Sequence, residues 1–113
     1  MRRITVAIYA RNDVVDGFIK AQLLKANPNF VLVDPPAQAD AVIIDAQLLT
    51  PTEKKILKAY AKFGKIKEVA RAENYSYATV KRYLSRIYTK LKVKSGTQAV
   101  AFALRYQLID LEE

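Results

Sequence analysis

The chain has 113 residues, 51% of them hydrophobic and 27% charged, which suits one globular domain or two very small ones. It holds no cysteine and no histidine, which excludes disulfides, thiolate catalysis, and the commonest general base and metal ligand. The net charge is +8, and all of it lies beyond residue 50: residues 1–50 carry five basic and five acidic groups, residues 51–113 fourteen and six. Such asymmetry directs the second half toward a polyanion, although a lysine-rich solubilising surface would give the same count.

Ile4 to Tyr9 reads as a buried strand, short, apolar and β-branched. Arg2 and Arg3 lead into it without a small-residue cleavage site, so no secretory leader is expected. Asn12 or Asp13 caps a following helix in which Val14, Val15, Phe18, Ile19, Leu23 and Leu24 recur at helical spacing. Asn27-Pro28-Asn29 stops that helix. Phe30 to Val33 and Ala41 to Ile44 are two more short strands, and Asp34-Pro35-Pro36 makes the link between them non-helical. The first segment, residues 1–47, is therefore β-α-β-β. One helix covers one face of three strands, so the other face needs cover from residues 48–113 or from a second copy of the chain.

The second segment opens with a capping box. Thr50 offers the capping hydroxyl, Pro51 the first helical position and Glu53 the returning carboxylate. Ile56, Leu57, Tyr60 and Ala61 make the buried stripe, and Gly64 ends the helix. A short second helix is expected from about Lys65 to Ala72, with Asn74 in the turn. Ser76 caps a third helix to about Leu91, and Ser95 with Gln98 caps a fourth to about Leu108. The fold class is α+β: a small three-stranded sheet with one helix, then a four-helix helix-turn-helix domain over residues 48–113. No run approaches the roughly 20 apolar residues that cross a bilayer.

In the third of these helices Val80, Leu84, Ile87 and Leu91 share one face and pack inward. Lys81, Arg82, Ser85, Arg86 and Thr89 lie on the other side, with Tyr77 and Tyr88 flanking. Arginine and lysine donate to guanine edges and phosphates, and hydroxyls reach either, so this face suits the major groove. The short preceding helix and the three-residue link have helix-turn-helix spacing. Lys65, Lys67, Lys90, Lys92 and Lys94 are placed to neutralise phosphates. A solvated basic face on an ordinary amphipathic helix would show the same periodicity.

Residues 49 to 109 resemble the LuxR-type (NarL/FixJ-type) DNA-binding domain. The resemblance rests on Leu49-Thr50-Pro51-Thr52-Glu53, Lys67-Glu68-Val69-Ala70, Ser76-Tyr77-Ala78-Thr79-Val80-Lys81, Ile87-Tyr88-Thr89-Lys90-Leu91 and the run from Val93 to Val100, all in order and at the family's spacing. It implies base reading by Lys81, Arg82 and Ser85. It also implies phosphate contacts from Thr79, Lys90 and the helix start at Ser76 and Tyr77, and dimers through the fourth helix, where Ala99, Ala101 and Ala103 would equally suit an internal core. The departures are Tyr83 for a usual histidine, Glu73 for a buried leucine, Asn74-Tyr75 for Gly-Ile, and Gly96 for an arginine.

Residues 3 to 46 resemble the start of a response-regulator receiver, with Ala41 to Asp45 matching the strand that ends in the phospho-acceptor aspartate. Such a site needs two acids after the first strand to hold magnesium, and the matching positions are Ala10 and Arg11. Asp45 is therefore expected to be a structural acid. Carboxylates are few and scattered and no glycine-rich phosphate loop exists, so no enzyme activity, cofactor or metal is expected. The expected partners are double-stranded DNA and a second copy of the chain, with RNA polymerase a further candidate and no membrane. The expected place is the cytoplasm, at the nucleoid. Two alternatives remain: a protein-interaction module acting as an anti-activator, and a nonspecific DNA-coating protein.

Overall fold

The computed structural model describes residues 3–35 and 38–111. Pro36, expected to stiffen the link between the second and third strands, lies outside them. The chain divides into two compact units between Leu48 and Leu49.

The first unit holds β1 (Ile4–Tyr9), α1 (Asp13–Ala26), β2 (Phe30–Val33) and β3 (Ala41–Ile44). The strands form one parallel sheet in the order β2-β1-β3, with Ile4 opposite Phe30 and Tyr9 opposite Ile44. Val6 to Tyr9 are buried, as a central parallel strand requires. Parallel strands usually need a crossover of a dozen or more residues, and the one between β2 and β3 has only seven, 34–40. A reciprocal clamp fixes its end: the Thr5 amide donates to Asp40 Oδ2 and the Asp40 amide to Thr5 Oγ1, both at 2.9 Å.

Asn12 caps α1 by accepting from the Val15 amide at 2.9 Å. The apolar positions of α1 separate into two rows. Val15, Ile19 and Leu23 are half-buried, whereas Val14 is 81% exposed, Phe18 65% and Leu24 47%. A sheet of short strands has room for one row of a helix, and α1 has two.

The second unit is α2 (Pro51–Phe63), α3 (Ile66–Glu73), α4 (Tyr77–Leu91) and α5 (Gly96–Arg105). The Thr50–Glu53 capping box is closed in both directions, at 2.9 and 3.1 Å. Gly64 ends α2 with φ 74°, where a side chain would be strained. Three later helices end in one way. Asn74, Lys92 and Gln107 adopt left-handed conformations, and the next residue's amide closes back on Ala70, Tyr88 and Ala103 respectively. This closure stops α5 at Arg105, three residues before the expected Leu108. At Ser95 the reciprocal arm of the expected capping box shifts by one: Gln98 accepts from the Lys94 amide rather than from Ser95's own. Ile56, Leu57, Val69, Val80, Leu84, Ile87, Leu91, Ala99 and Ala103 form the core. Ala99 and Ala103 thus face inward, and Ala101 alone of the three alanines is exposed.

Candidate nucleic-acid interface

Helix α4 buries Val80, Leu84, Ile87 and Leu91, the four positions expected inside. Burying that row turns Lys81, Arg82, Ser85 and Arg86 to solvent, and all four are exposed. No acid occurs between Tyr77 and Leu91, so the face carries only positive charge. Ser76 accepts from the Thr79 amide at 3.1 Å and donates its hydroxyl to Thr79 Oγ1 at 2.9 Å. The Thr79 hydroxyl hydrogen is then left to donate outward, beside the positive end of the helix dipole and the exposed Tyr77. Lys65 and Lys94 are exposed at the start of α3 and before α5.

The α3–α4 turn departs in sequence from the resembled family but keeps the needed backbone. Asn74 sits at φ 61° and ψ 42°, the left-handed region that asparagine tolerates better than most side chains. Glu73 pairs with Lys55 at 3.5 Å instead of filling the core. The Tyr75 and Tyr83 rings meet at a tilt of 51° with centroids 6.0 Å apart, and the Arg86 guanidinium lies 5.8 Å from the Tyr83 ring. Tyr83, where a histidine is usual, therefore orients Arg86. The i, i+3 spacing of Tyr83 and Arg86 was the available sequence signal for this.

Two expected site residues are engaged within the domain. Lys90 donates to Glu53 Oε1 at 2.6 Å, and the Glu53 side chain is almost wholly buried. Thr89 donates its hydroxyl to the Ser85 carbonyl at 3.1 Å. Tyr88 is half-buried rather than flanking the outer face, and burial, with Tyr60 nearby, pushes its phenol up. Gly96 also has a packing reason: a Cβ there would overlap the Tyr60 ring. Gly96→Arg, which restores the family's usual residue, is expected to destabilise this unit by about 1–3 kcal/mol through overpacking. In a Tyr60→Ala background the added cost should fall sharply, which a double-mutant cycle on thermal melts would read.

At the carboxyl ends of β1 and β3, where ligands of open parallel sheets bind, Arg11 occupies Asp45. Arg11 Nε donates to Oδ2 at 2.6 Å and Nη2 to Oδ1 at 2.7 Å; the Arg11 and Gln47 amides add bonds at 3.1 and 2.9 Å. Four donors saturate a carboxylate. The Arg11 guanidinium is the main reason that the Asp45 carboxyl lies far below the usual carboxylate range; the Gln47 and Arg11 amides lower it further and burial opposes them. Because the folded value is depressed, this stabilisation is present above the unfolded value of about 3.9 and is lost only as pH falls through the lower folded value. Asp45→Ala should therefore cost roughly 2–3 kcal/mol at neutral pH, read by hydrogen exchange of the β1 and β3 amides. The gap from wild type should hold through pH 5 and close only in stronger acid.

Comparison with known proteins places this geometry. Residues 47–103 match the family model of the bacterial regulatory proteins, luxR family. The response regulator protein VraR of Staphylococcus aureus and that of Staphylococcus epidermidis are each 40% identical over 63 residues, 56% of this chain and 30% of theirs. The chain thus spans about a third of the length of these curated relatives. The solved structure of the transcription factor GerE superposes with a TM-score of 0.54 at 27% identity, covering 58% of this chain and 98% of that one. With its four-helix unit matched in sequence and in fold, the chain belongs to the luxR family of bacterial regulatory proteins.

Proposed function

We propose that the chain binds double-stranded DNA sequence-specifically by laying the outer face of α4 in the major groove, as two copies on paired half-sites and without phosphorylation. The observation that carries this reading is the state of Lys81 and Arg82. Both are exposed on an acid-free face, and neither side chain has an ion-pair or hydrogen-bond partner among the described residues. Lys90, by contrast, is spent on Glu53. Lys81, Arg82 and Ser85 read base edges; Arg86, held by Tyr83, and Thr79, Ser76 and Tyr77 at the helix start meet the backbone; Lys65 and Lys94 add phosphate contacts. Lys90 contributes the hydrogens that its bond to Glu53 leaves over.

Saturation of Asp45 by Arg11 supports phosphorylation independence, since no lone pair remains for a metal or a phosphoryl group. Half-sites about 34–36 Å apart would admit two α4 helices on one side of the duplex. RNA polymerase is the further partner of such a regulator, and the nucleoid its place.

Selection from random duplexes at about 150 mM salt, followed by sequencing, tests the reading, because salt suppresses nonspecific phosphate binding. A motif of two half-sites is the expected result. Binding without a motif would assign the chain to nonspecific coating of DNA, and no binding would leave the protein-interaction reading.

A further inference from the structure

Helix α1 presents an apolar row that nothing in its own unit covers. Val14, Gly17, Phe18, Ala21 and Leu24 recur at i, i+3, i+4, i+7 and i+10, and all are exposed. A Cβ on Gly17 would meet nothing within 4 Å. A solvent face of a small helix is normally polar, and an exposed row of this kind marks an interaction site. The nature of its partner is written in the order of residues along the helix. Of the six pairs about Ile19 within α1, Phe18–Lys20 and Asp16–Gln22 do not correspond, and the other four match in size or oppose in charge. Gly17 answers Ala21, Val15 answers Leu23, Val14 answers Leu24, and Asp13 answers Lys25. Val15 and Leu23 lie on the sheet side; the other pairs lie outside.

We infer that the outer row of α1 is a self-association surface, on which a second copy of this chain packs its own α1 antiparallel about a two-fold axis at the level of Ile19. Antiparallel two-fold helices bring together residues whose numbers share one sum, here 38. Small Gly17 then faces the partner copy's alanine 21 and lets the helices approach closely. Val14 covers leucine 24, and Asp13 pairs with lysine 25 at each end. Acid at the N-terminal end and base at the C-terminal end also match the helix dipole, so one charge pattern serves both the isolated helix and the pair. A parallel pair would set Asp13 against its own copy and Lys25 against its own copy, which repel. The same surface on both copies is what a closed dimer requires. Helix α5 offers less, since Ala99 and Ala103 are in the core and only Ala101 and Leu104 are exposed along its apolar side.

The inference rests on the two-copy part of the proposed function and on none of its DNA chemistry. A strip about 21 Å long and one helix wide buries a few hundred Å² per copy, well under the roughly 800 Å² of a standard interface. Association is therefore weak in free solution and is reinforced when two copies are held on one duplex.

The absence of cysteine makes a direct test available, because every disulfide formed must come from introduced residues. Chains carrying Gly17→Cys and Ala21→Cys are oxidised mildly, separately and as an equimolar mixture, without DNA. In the proposed register a Gly17→Cys chain and an Ala21→Cys chain face each other within disulfide reach. Two copies of either alone are offset by four residues, about 6 Å along the axis, beyond it. The mixture should cross-link about tenfold faster than either chain alone. Phe18→Lys added to both chains should abolish that excess while leaving the thermal melt unchanged, since Phe18 is exposed. Equal rates in all three samples, or indifference to Phe18→Lys, would overturn the inference and assign the row to another segment of the chain or to a different protein. DNA binding is scored separately by the duplex selection, so either reading can fail while the other stands.

Discussion

Replacing Lys81 and Arg82 together by alanine is expected to lower affinity for the selected duplex by about 10²-fold or more, each base contact being worth roughly 1–3 kcal/mol. Affinity for an unrelated duplex should fall far less, by the share of two charges in a set that also includes Lys65, Arg86 and Lys94. The specificity ratio therefore collapses, and this distinguishes base reading from loss of charge. Both side chains are exposed, so the melting temperature should stay within the range of ordinary surface substitutions. Lys65→Ala and Lys94→Ala form the contrasting set: each should weaken all duplexes alike and reduce the slope of log affinity against log salt by about one. Fluorescence anisotropy with the two duplexes at several salt concentrations reads both behaviours.

Lys90→Ala is expected to do more damage to the fold than to the interface. Glu53 is 3% exposed and accepts from Lys90 at 2.6 Å and from the Thr50 amide at 2.9 Å. Removing the ammonium leaves a buried carboxylate with one partner, an arrangement that costs about 3–5 kcal/mol. For a unit of 65 residues that is most of the stability available. Glu53→Gln combined with Lys90→Gln should recover much of the loss, because the amide can still accept from Thr50 and no charge is buried. If the double variant folds and binds the selected duplex within a few-fold of wild type, Lys90 acts by holding α4 to the start of α2. If it folds but binds about tenfold more weakly to every duplex, the remaining ammonium hydrogens of Lys90 reach a phosphate.

Local signals carried most of the secondary structure. Asn12, Thr50, Ser76 and Ser95 each cap the helix that their side-chain chemistry announces, and Gly64 closes the helix that it follows. The inner row of α4 was equally legible, because four β-branched or leucine residues at 3.6-residue spacing admit one buried face. What escaped the sequence lies between distant residues. Glu53 and Lys90 stand 37 positions apart, and Arg11 and Asp45 stand 34 apart. Their pairing follows from the parallel register of β1 on β3 and from the packing of α4 on α2, neither of which a single sequence states. Arg11 was legible as an obstacle to a metal site, and the structure makes it the counter-ion that Asp45 keeps. The end of α5 was misjudged for a different reason: Gln107 adopts φ 60°, and no glycine or asparagine announces the stop. The two rows of α1 shared one apolar pattern, and only the narrowness of the sheet decides which row is covered.

Backbone amide shifts of the isotopically labelled full chain, recorded as the selected duplex is added, test the central claim most directly. The large changes should fall on Ser76 to Arg86, with smaller ones at Lys65 and Lys94 and along the outer row of α1 where two copies meet on the duplex, and the inner positions of α5 should stay in place. Changes concentrated on α5 or on the sheet, with Lys81, Arg82 and Ser85 unmoved, would contradict the assignment of α4 as the element that reads DNA.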